Sequence, residues 1–149
     1  NIRIDRIDQL EDDTKIIIDY KTGAIPGRSE LFNDRLTFLQ LPIYGGYTQE
    51  QNIKGVMVAH LNIHKNSFYG VTDDAVKISQ DFKGVISTPS ISNWKDLIKQ
   101  WRHLLETISL SYQKGDCQVT FYKESDLNFC PVLPIMRLPE KKYQYESKY

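Results

Sequence analysis

The run Gly55-Val-Met-Val-Ala-His-Leu-Asn-Ile63 places apolar side chains on successive positions over the length of a strand. Neighbouring strand residues point to opposite faces, so a run of this kind has to be covered on both sides. Upstream, Ile2, Ile4 and Ile7 alternate imperfectly with Arg3, Asp5, Arg6 and Asp8 as far as the acidic turn Glu11-Asp12-Asp13. Lys15-Ile-Ile-Ile-Asp-Tyr-Lys21 is then β-branched and stops at Gly23, and the two runs read as a β-hairpin. Thr22 to Asn33, with Gly23, Pro26, Gly27 and Ser29, has the composition of a surface loop. Periodicity predicts a helix from about Asp34 to Gln51, with Leu36, Leu39, Ile43 and Tyr47 on one side and Pro42 and Gly45-Gly46 weakening its middle. Phe68-Tyr-Gly-Val71 reads as an edge strand. Ser92 or Asn93 caps a long helix in which Trp94, Leu97, Ile98, Trp101, Leu104, Leu105 and Ile108 recur at three- and four-residue steps, and Gly115 closes it.

With 149 residues, 40% of them hydrophobic, the chain can bury one core and is expected to form a single domain. No stretch approaches the roughly 18 to 20 apolar residues of a membrane span, so the expected setting is cytoplasmic, with no membrane partner. Cys117 and Cys130 are too few for a disulfide framework or a four-cysteine zinc site. A formal net charge of zero argues against a free-standing nucleic-acid binder working through a large basic field. Asn1 opens inside a strand-like run without an initiating methionine, so the chain is expected to be a fragment of a longer protein.

Asp19 and Lys21 are two apart on the second predicted strand, so both leave the face that also carries Ile17. A carboxylate beside an ammonium suits phosphodiester hydrolysis. The carboxylate holds Mg²⁺, which acidifies water and offsets charge in the transition state, and the lysine orients or activates the attacking water. Taken alone, a D-x-K triplet is more often a solvated ion pair.

Three ordered segments change that balance. Arg3-Ile-Asp-Arg-Ile-Asp8, Ile16-Ile-Ile-Asp-Tyr-Lys-Thr-Gly23 and Gln40-Leu-Pro-Ile-Tyr44 closely resemble, in order and spacing, the nuclease motifs of RecB-like and AddB-like proteins of the PD-(D/E)XK type. The resemblance continues more loosely through Phe68-Tyr-Gly70, the Trp94 helix and Tyr112-Gln-Lys-Gly115. It implies an α/β fold with a restriction-endonuclease-like core, a small mixed sheet flanked by helices. It also implies an exonuclease-type DNA nuclease using Mg²⁺ or Mn²⁺, which processes DNA ends in repair or recombination beside a helicase domain or subunit. Carried over, it makes Asp5 and Asp19 the metal carboxylates, Tyr20 the donor of a backbone carbonyl to the metal, Lys21 the catalytic lysine, and Gln40 and Tyr44 the helix residues facing the site. Asp8 competes with Asp5. The two have opposite strand parity, so without a bulge only one can face the metal.

The chain departs from the pattern in places. Ile2 stands where the family usually has Gly, and the expected fragment is taken to lack the upstream helix that often supplies a further ligand. Of the cysteines that commonly hold an iron-sulfur cluster only Cys130 is present, with Leu127 and Met136 at other ligand positions, so no cluster is expected. In its place Phe129, Val132, Leu133 and Ile135 are expected to pin the tail by apolar contacts. The missing glycine and cluster cysteines would fit an alternative reading, a catalytically degenerate module for DNA binding or subunit docking, whereas Asp5, Asp19, Lys21, Gln40 and Tyr44 together favour the enzyme. His60 and His64 have helical zinc-pair spacing but lie in or after a strand. Lys95, Lys99 and Arg102 read as a solvated helix face, and Trp94 and Trp101 as core anchors. No Walker-type phosphate loop is present, so an ATPase activity would belong to another domain.

Overall fold

A computed structural model describes residues 2–25, 27–74, 76, 84, 88–116, 135 and 137. The chain divides into two units, Asn1–Leu110 and Ser111–Tyr149. In the first, β1 (Arg6–Gln9), β2 (Lys15–Lys21), β3 (Ile53–His60) and β4 (Ser67–Thr72) form one sheet in the order β1-β2-β3-β4. β1 and β2 pair antiparallel as the expected hairpin, β2 and β3 pair parallel, and β3 and β4 pair antiparallel. The sheet is therefore mixed, with helices α1 (Gln40–Tyr47) and α2 (Trp94–Gln113), and the fold is α/β.

β3 is covered on both faces, as its apolar run requires. Val56 and Val58 enter a core with Ile17, Val71, Leu31, Leu41, Tyr44, Trp94, Leu97 and Trp101. Met57 enters a smaller cluster on the other face with Ile16 and Val76. The indole N–H of the fully buried Trp101 donates to the Leu31 carbonyl at 2.8 Å, and Trp94 meets Trp101 edge to face at 6.0 Å between ring centres. Both tryptophans are core anchors.

Three expectations need correction. The helix predicted from Asp34 to Gln51 runs only over Gln40–Tyr47. Pro42 sits in its first turn, where a missing N–H costs nothing; a helix begun earlier would drive the proline ring into the carbonyl four residues back. Its buried side is Leu41, Pro42, Tyr44 and Gly46, whereas Tyr47 is exposed. The glycine pair does not weaken this helix so much as let it dock: a Cβ on Gly45 would lie 2.9 Å from the Trp101 ring and 3.2 Å from Val56. Second, the loop from Thr22 to Asn33 is not all surface, because a short 3-10 helix, Arg28–Phe32, buries Leu31 and Phe32 in the core. Third, Ile108 lies beyond the covered part of the α2 stripe and is exposed.

The capping of α2 follows expectation at both ends. Asn93 Oδ1 accepts the Asp96 N–H at 3.0 Å, and Gly115 adopts φ +69° just past the last turn. In the second unit Ile135 is 79% exposed, against the apolar anchoring expected of it. Cys117, Leu127, Phe129, Cys130, Val132, Leu133 and Met136 lie outside the described residues.

Candidate active site

Parity on β2 separates its residues cleanly. Ile17, Asp19 and Lys21 face the large core and α1, while Ile16, Ile18 and Tyr20 face the other side. Asp19 is fully buried and Lys21 is 30% exposed in its side chain, and the ammonium lies 2.8 Å from Asp19 Oδ2. Gln40, the first residue of α1, lies over both of them. Its Oε1 accepts from Lys21 Nζ at 2.6 Å, and its Nε2 donates to Asp19 Oδ1 at 2.6 Å and to the Tyr44 hydroxyl at 2.7 Å. The Tyr44 hydroxyl then donates to the Arg3 carbonyl at 2.9 Å. Every hydrogen in this chain runs from donor to acceptor without conflict: the amide oxygen meets the ammonium and the two amide hydrogens meet oxygens. Lys21 Nζ also sits 5.9 Å from the centre of the Phe38 ring, within cation-π range.

One atom in the network is left over. Asp19 Oδ2 is buried and accepts no hydrogen bond among the described residues, despite its short ionic contact with Lys21. The ammonium is close to that oxygen but not directed at a lone pair, so it supplies charge without an aligned donor. A buried carboxylate oxygen with a free lone pair is a hard donor suited to a divalent cation, and the residues present fit such an ion.

Asp5 falls one residue before β1. Continuing the pairing of Arg6 with Ile18 and Ile7 with Ile17 puts it opposite Asp19, and its Oδ2 accepts the Tyr20 N–H at 3.1 Å. Tyr20 therefore turns its N–H toward the β1 side, and its carbonyl points the same way. The next carbonyl, that of Lys21, faces β3 and accepts the Leu61 N–H at 2.8 Å. Asp8, paired with Ile16, projects from the opposite face and is engaged by Arg6 at 2.5 and 2.8 Å. It lines a concavity of about 220 Å³ there with Ile18, Tyr20, Met57 and Phe68, on the side away from Asp19.

The two histidines separate. His60 shares the cross-strand row of Lys21, whereas His64 lies in the exposed turn before β4 with its N–H bonded to Asn62. Among the described residues no three His, Cys, Asp or Glu side chains group as a metal cage. Lys95 and Lys99 are exposed, and Arg102 donates to the Gly46 carbonyl at 2.7 Å, tying α2 to α1.

Residues that sequence reading did not place here are Phe38, Glu30 and Tyr69. Tyr69 pairs with Val58, which pairs with Asp19, so the three form one row on one face of the sheet. Burial pushes the Tyr69 phenol up to about 12, with the charges of Glu30 and Asp19 adding to the effect. Only the strand pairing reveals that row.

The model of the PD-(D/E)XK nuclease superfamily matches residues 3–135, a span that contains the whole network. The chain belongs to the PD-(D/E)XK nuclease superfamily. Its mixed four-stranded sheet with flanking helices agrees with that fold. Members are generally nucleases, hydrolases that typically use divalent metal ions on nucleic-acid substrates. No curated protein and no solved structure matches the chain. Among the described residues no helix is long and apolar enough to cross a membrane.

Proposed function

We propose that this superfamily member is a Mg²⁺- or Mn²⁺-dependent deoxyribonuclease, with Asp5 and Asp19 as the metal carboxylates and Lys21 as the catalytic lysine. The observation that carries the reading is the closed set of contacts joining Asp19, Lys21, Gln40 and Tyr44 around a buried carboxylate oxygen that accepts no hydrogen bond among the described residues. The Tyr20 carbonyl, turned to the same sheet edge as Asp5, is a further oxygen donor in this reading. When bound, the cation lowers the pKa of water and offsets phosphate charge in the transition state.

The remaining work falls to the chain's own groups. Lys21 places its ammonium beside the attacking water and holds the proton balance there. Gln40 grips Lys21 through Oε1 independently of Asp19, so the lysine stays placed when the carboxylate turns to a cation. Tyr44 fixes the Gln40 amide by tying it to the Arg3 carbonyl, which keeps the amide's oxygen toward lysine and its nitrogen toward aspartate.

The wider role, an exonuclease-type processing of DNA ends in repair or recombination beside a helicase, draws on the resemblance of the three motifs to RecB-like and AddB-like proteins. A chain of zero net charge is compatible with DNA delivered by such a partner. The test is cleavage of linear single- and double-stranded DNA with Mn²⁺ and with chelator, for the natural chain and Asp19→Asn. Cation-dependent cleavage lost in the variant supports the reading. Cleavage unchanged by Asp19→Asn overturns it, and absence of both cleavage and Mn²⁺ binding favours a degenerate docking module.

A further inference from the structure

Tyr69 is the group in this region whose chemistry the network above leaves unexplained. Its hydroxyl oxygen is buried and has no hydrogen-bond partner among the described residues. Burial of a phenol without a partner is costly, and phenylalanine would fill the same space without that penalty. The residue stands on β4 in the row Asp19-Val58-Tyr69, two strand spacings, or about 10 Å, from Asp19 between Cα atoms. Asp19 and Tyr69 leave the same face of the sheet, and the charges of both Asp19 and Glu30 act on the phenol.

The hydroxyl is thus set among carboxylates yet bonded to neither. Glu30 already accepts from the Thr37 hydroxyl, and Asp19 Oδ1 from Gln40. Two oxygens on one face, Asp19 Oδ2 and Tyr69 Oη, are buried without a hydrogen-bond partner among the described residues, and Asp19 Oδ2 has the Lys21 ammonium as its ionic neighbour at 2.8 Å. A hydrated divalent cation would resolve both deficits together. It supplies charge to the carboxylate, and its hydration shell supplies strongly polarised donors to the phenolic oxygen, which can also donate its own hydrogen to a carboxylate.

We infer that Tyr69 is a positioning residue for the cation held on Asp19, its hydroxyl hydrogen-bonded to the ion's hydration shell. The inference rests on the proposed metal role of Asp19 and adds a residue to it. Groups that hold a metal site from outside its direct ligands are typically worth about 10- to 100-fold in affinity.

The experiment is calorimetric titration of the full chain with Mn²⁺, for the natural protein, Tyr69→Phe and Asp19→Asn, together with thermal melts of each without metal. Tyr69→Phe is expected to weaken Mn²⁺ binding about tenfold while the metal-free melting temperature stays level or rises, because an unpartnered buried hydroxyl has been removed. Natural affinity in Tyr69→Phe, with binding lost in Asp19→Asn, overturns the role of Tyr69 alone. A fall in the metal-free melting temperature of Tyr69→Phe also overturns it, since the hydroxyl would then be serving the fold. No binding to the natural chain, or binding that survives Asp19→Asn, removes the metal site and the Tyr69 inference together.

Discussion

Two acid-base pairs with the same i, i+2 spacing lie on adjacent strands of one sheet, and they differ in almost everything else. Arg6 and Asp8 meet on the outer side in a two-pronged contact at 2.5 and 2.8 Å, with 53% and 34% of their side chains exposed. Asp19 and Lys21 meet on the α1 side at 2.8 Å, with the carboxylate wholly buried. The exposed pair satisfies both oxygens of its carboxylate, whereas the buried pair leaves one without a hydrogen bond. The spacing is therefore not what makes a site. Burial makes the second pair expensive to form, and the free oxygen makes it incomplete without something more.

The largest expected effect is on chemistry. Asp19→Asn should lower cation-dependent DNA cleavage roughly 10³- to 10⁴-fold, the scale of losing a catalytic group, and abolish Mn²⁺ binding. The melting temperature should stay close to natural, since the amide keeps the shape of Asp and the loss of the Lys21 attraction is set against relief of a buried charge. Lys21→Ala should also stop turnover, but with the opposite balance of side effects. It strips the counter-charge from a buried carboxylate, at a cost of about 3 kcal/mol, and leaves Mn²⁺ affinity level or raised. Added Mn²⁺ should restore part of that stability in a melt. If Lys21→Ala were as stable as the natural chain, the contrast between the two pairs would collapse.

Much of the buried pair's neighbourhood was legible because it is local. The shared face of Ile17, Asp19 and Lys21 follows from strand parity alone, and the Gln40 and Tyr44 contact from a four-residue helical step. Pairing register then decides what parity left open: with Asp8 opposite Ile16, that carboxylate leaves the far face, and Asp5 remains on the side of Asp19. Less legible was anything that depends on distant partners. Leu31 and Phe32 read as loop residues because nothing in their own segment announces that Trp101 and the sheet will cover them. The α1 helix was overextended because Leu36 and Leu39 happen to keep its period while Pro42 sets its start. Tyr69 joins the site only through two strand pairings, which no local pattern encodes.

A substitution far from both pairs sharpens the comparison. The buried pair depends on α1 lying close to the sheet, and the exposed pair does not. Gly45→Ala would put a methyl 2.9 Å from Trp101 and 3.2 Å from Val56, both fully buried and unable to yield easily in a packed core. It should cost about 1 to 3 kcal/mol and weaken cleavage by shifting Gln40. Unchanged stability would show that α1 has slack. A pH series tests the same face more gently. The folded pKa of Tyr69, about 12, lies above its ordinary value of 10.0, so the folded state holds the phenolic proton more tightly. Stability fully present below about pH 10 should therefore be lost as pH climbs toward 12, and Tyr69→Phe should flatten that alkaline limb relative to the natural chain.

The smallest expected effect belongs to the exposed pair. Asp8→Ala removes the partner of Arg6, yet Arg6 keeps a hydrogen bond to the Tyr20 hydroxyl at 3.1 Å and remains open to water, so neither partner is stranded. The two-pronged geometry puts the pair at the upper end of what surface ion pairs contribute, a small effect that should shrink further as salt is added. Cleavage and Mn²⁺ affinity should not change, because the register sends this carboxylate to the face away from Asp19. Melts at low and high salt, with cleavage assays on the same preparations, measure both halves. Loss of cleavage in Asp8→Ala, with natural cleavage in Asp5→Ala, would transfer the metal role to Asp8 and require β1 to slip by an odd number of residues, three if Asp8 is to stand opposite Asp19. A slip of that kind would carry Ile7 out of the core as it brought Asp8 in, at the cost of the apolar contacts that now hold β1 against Ile17.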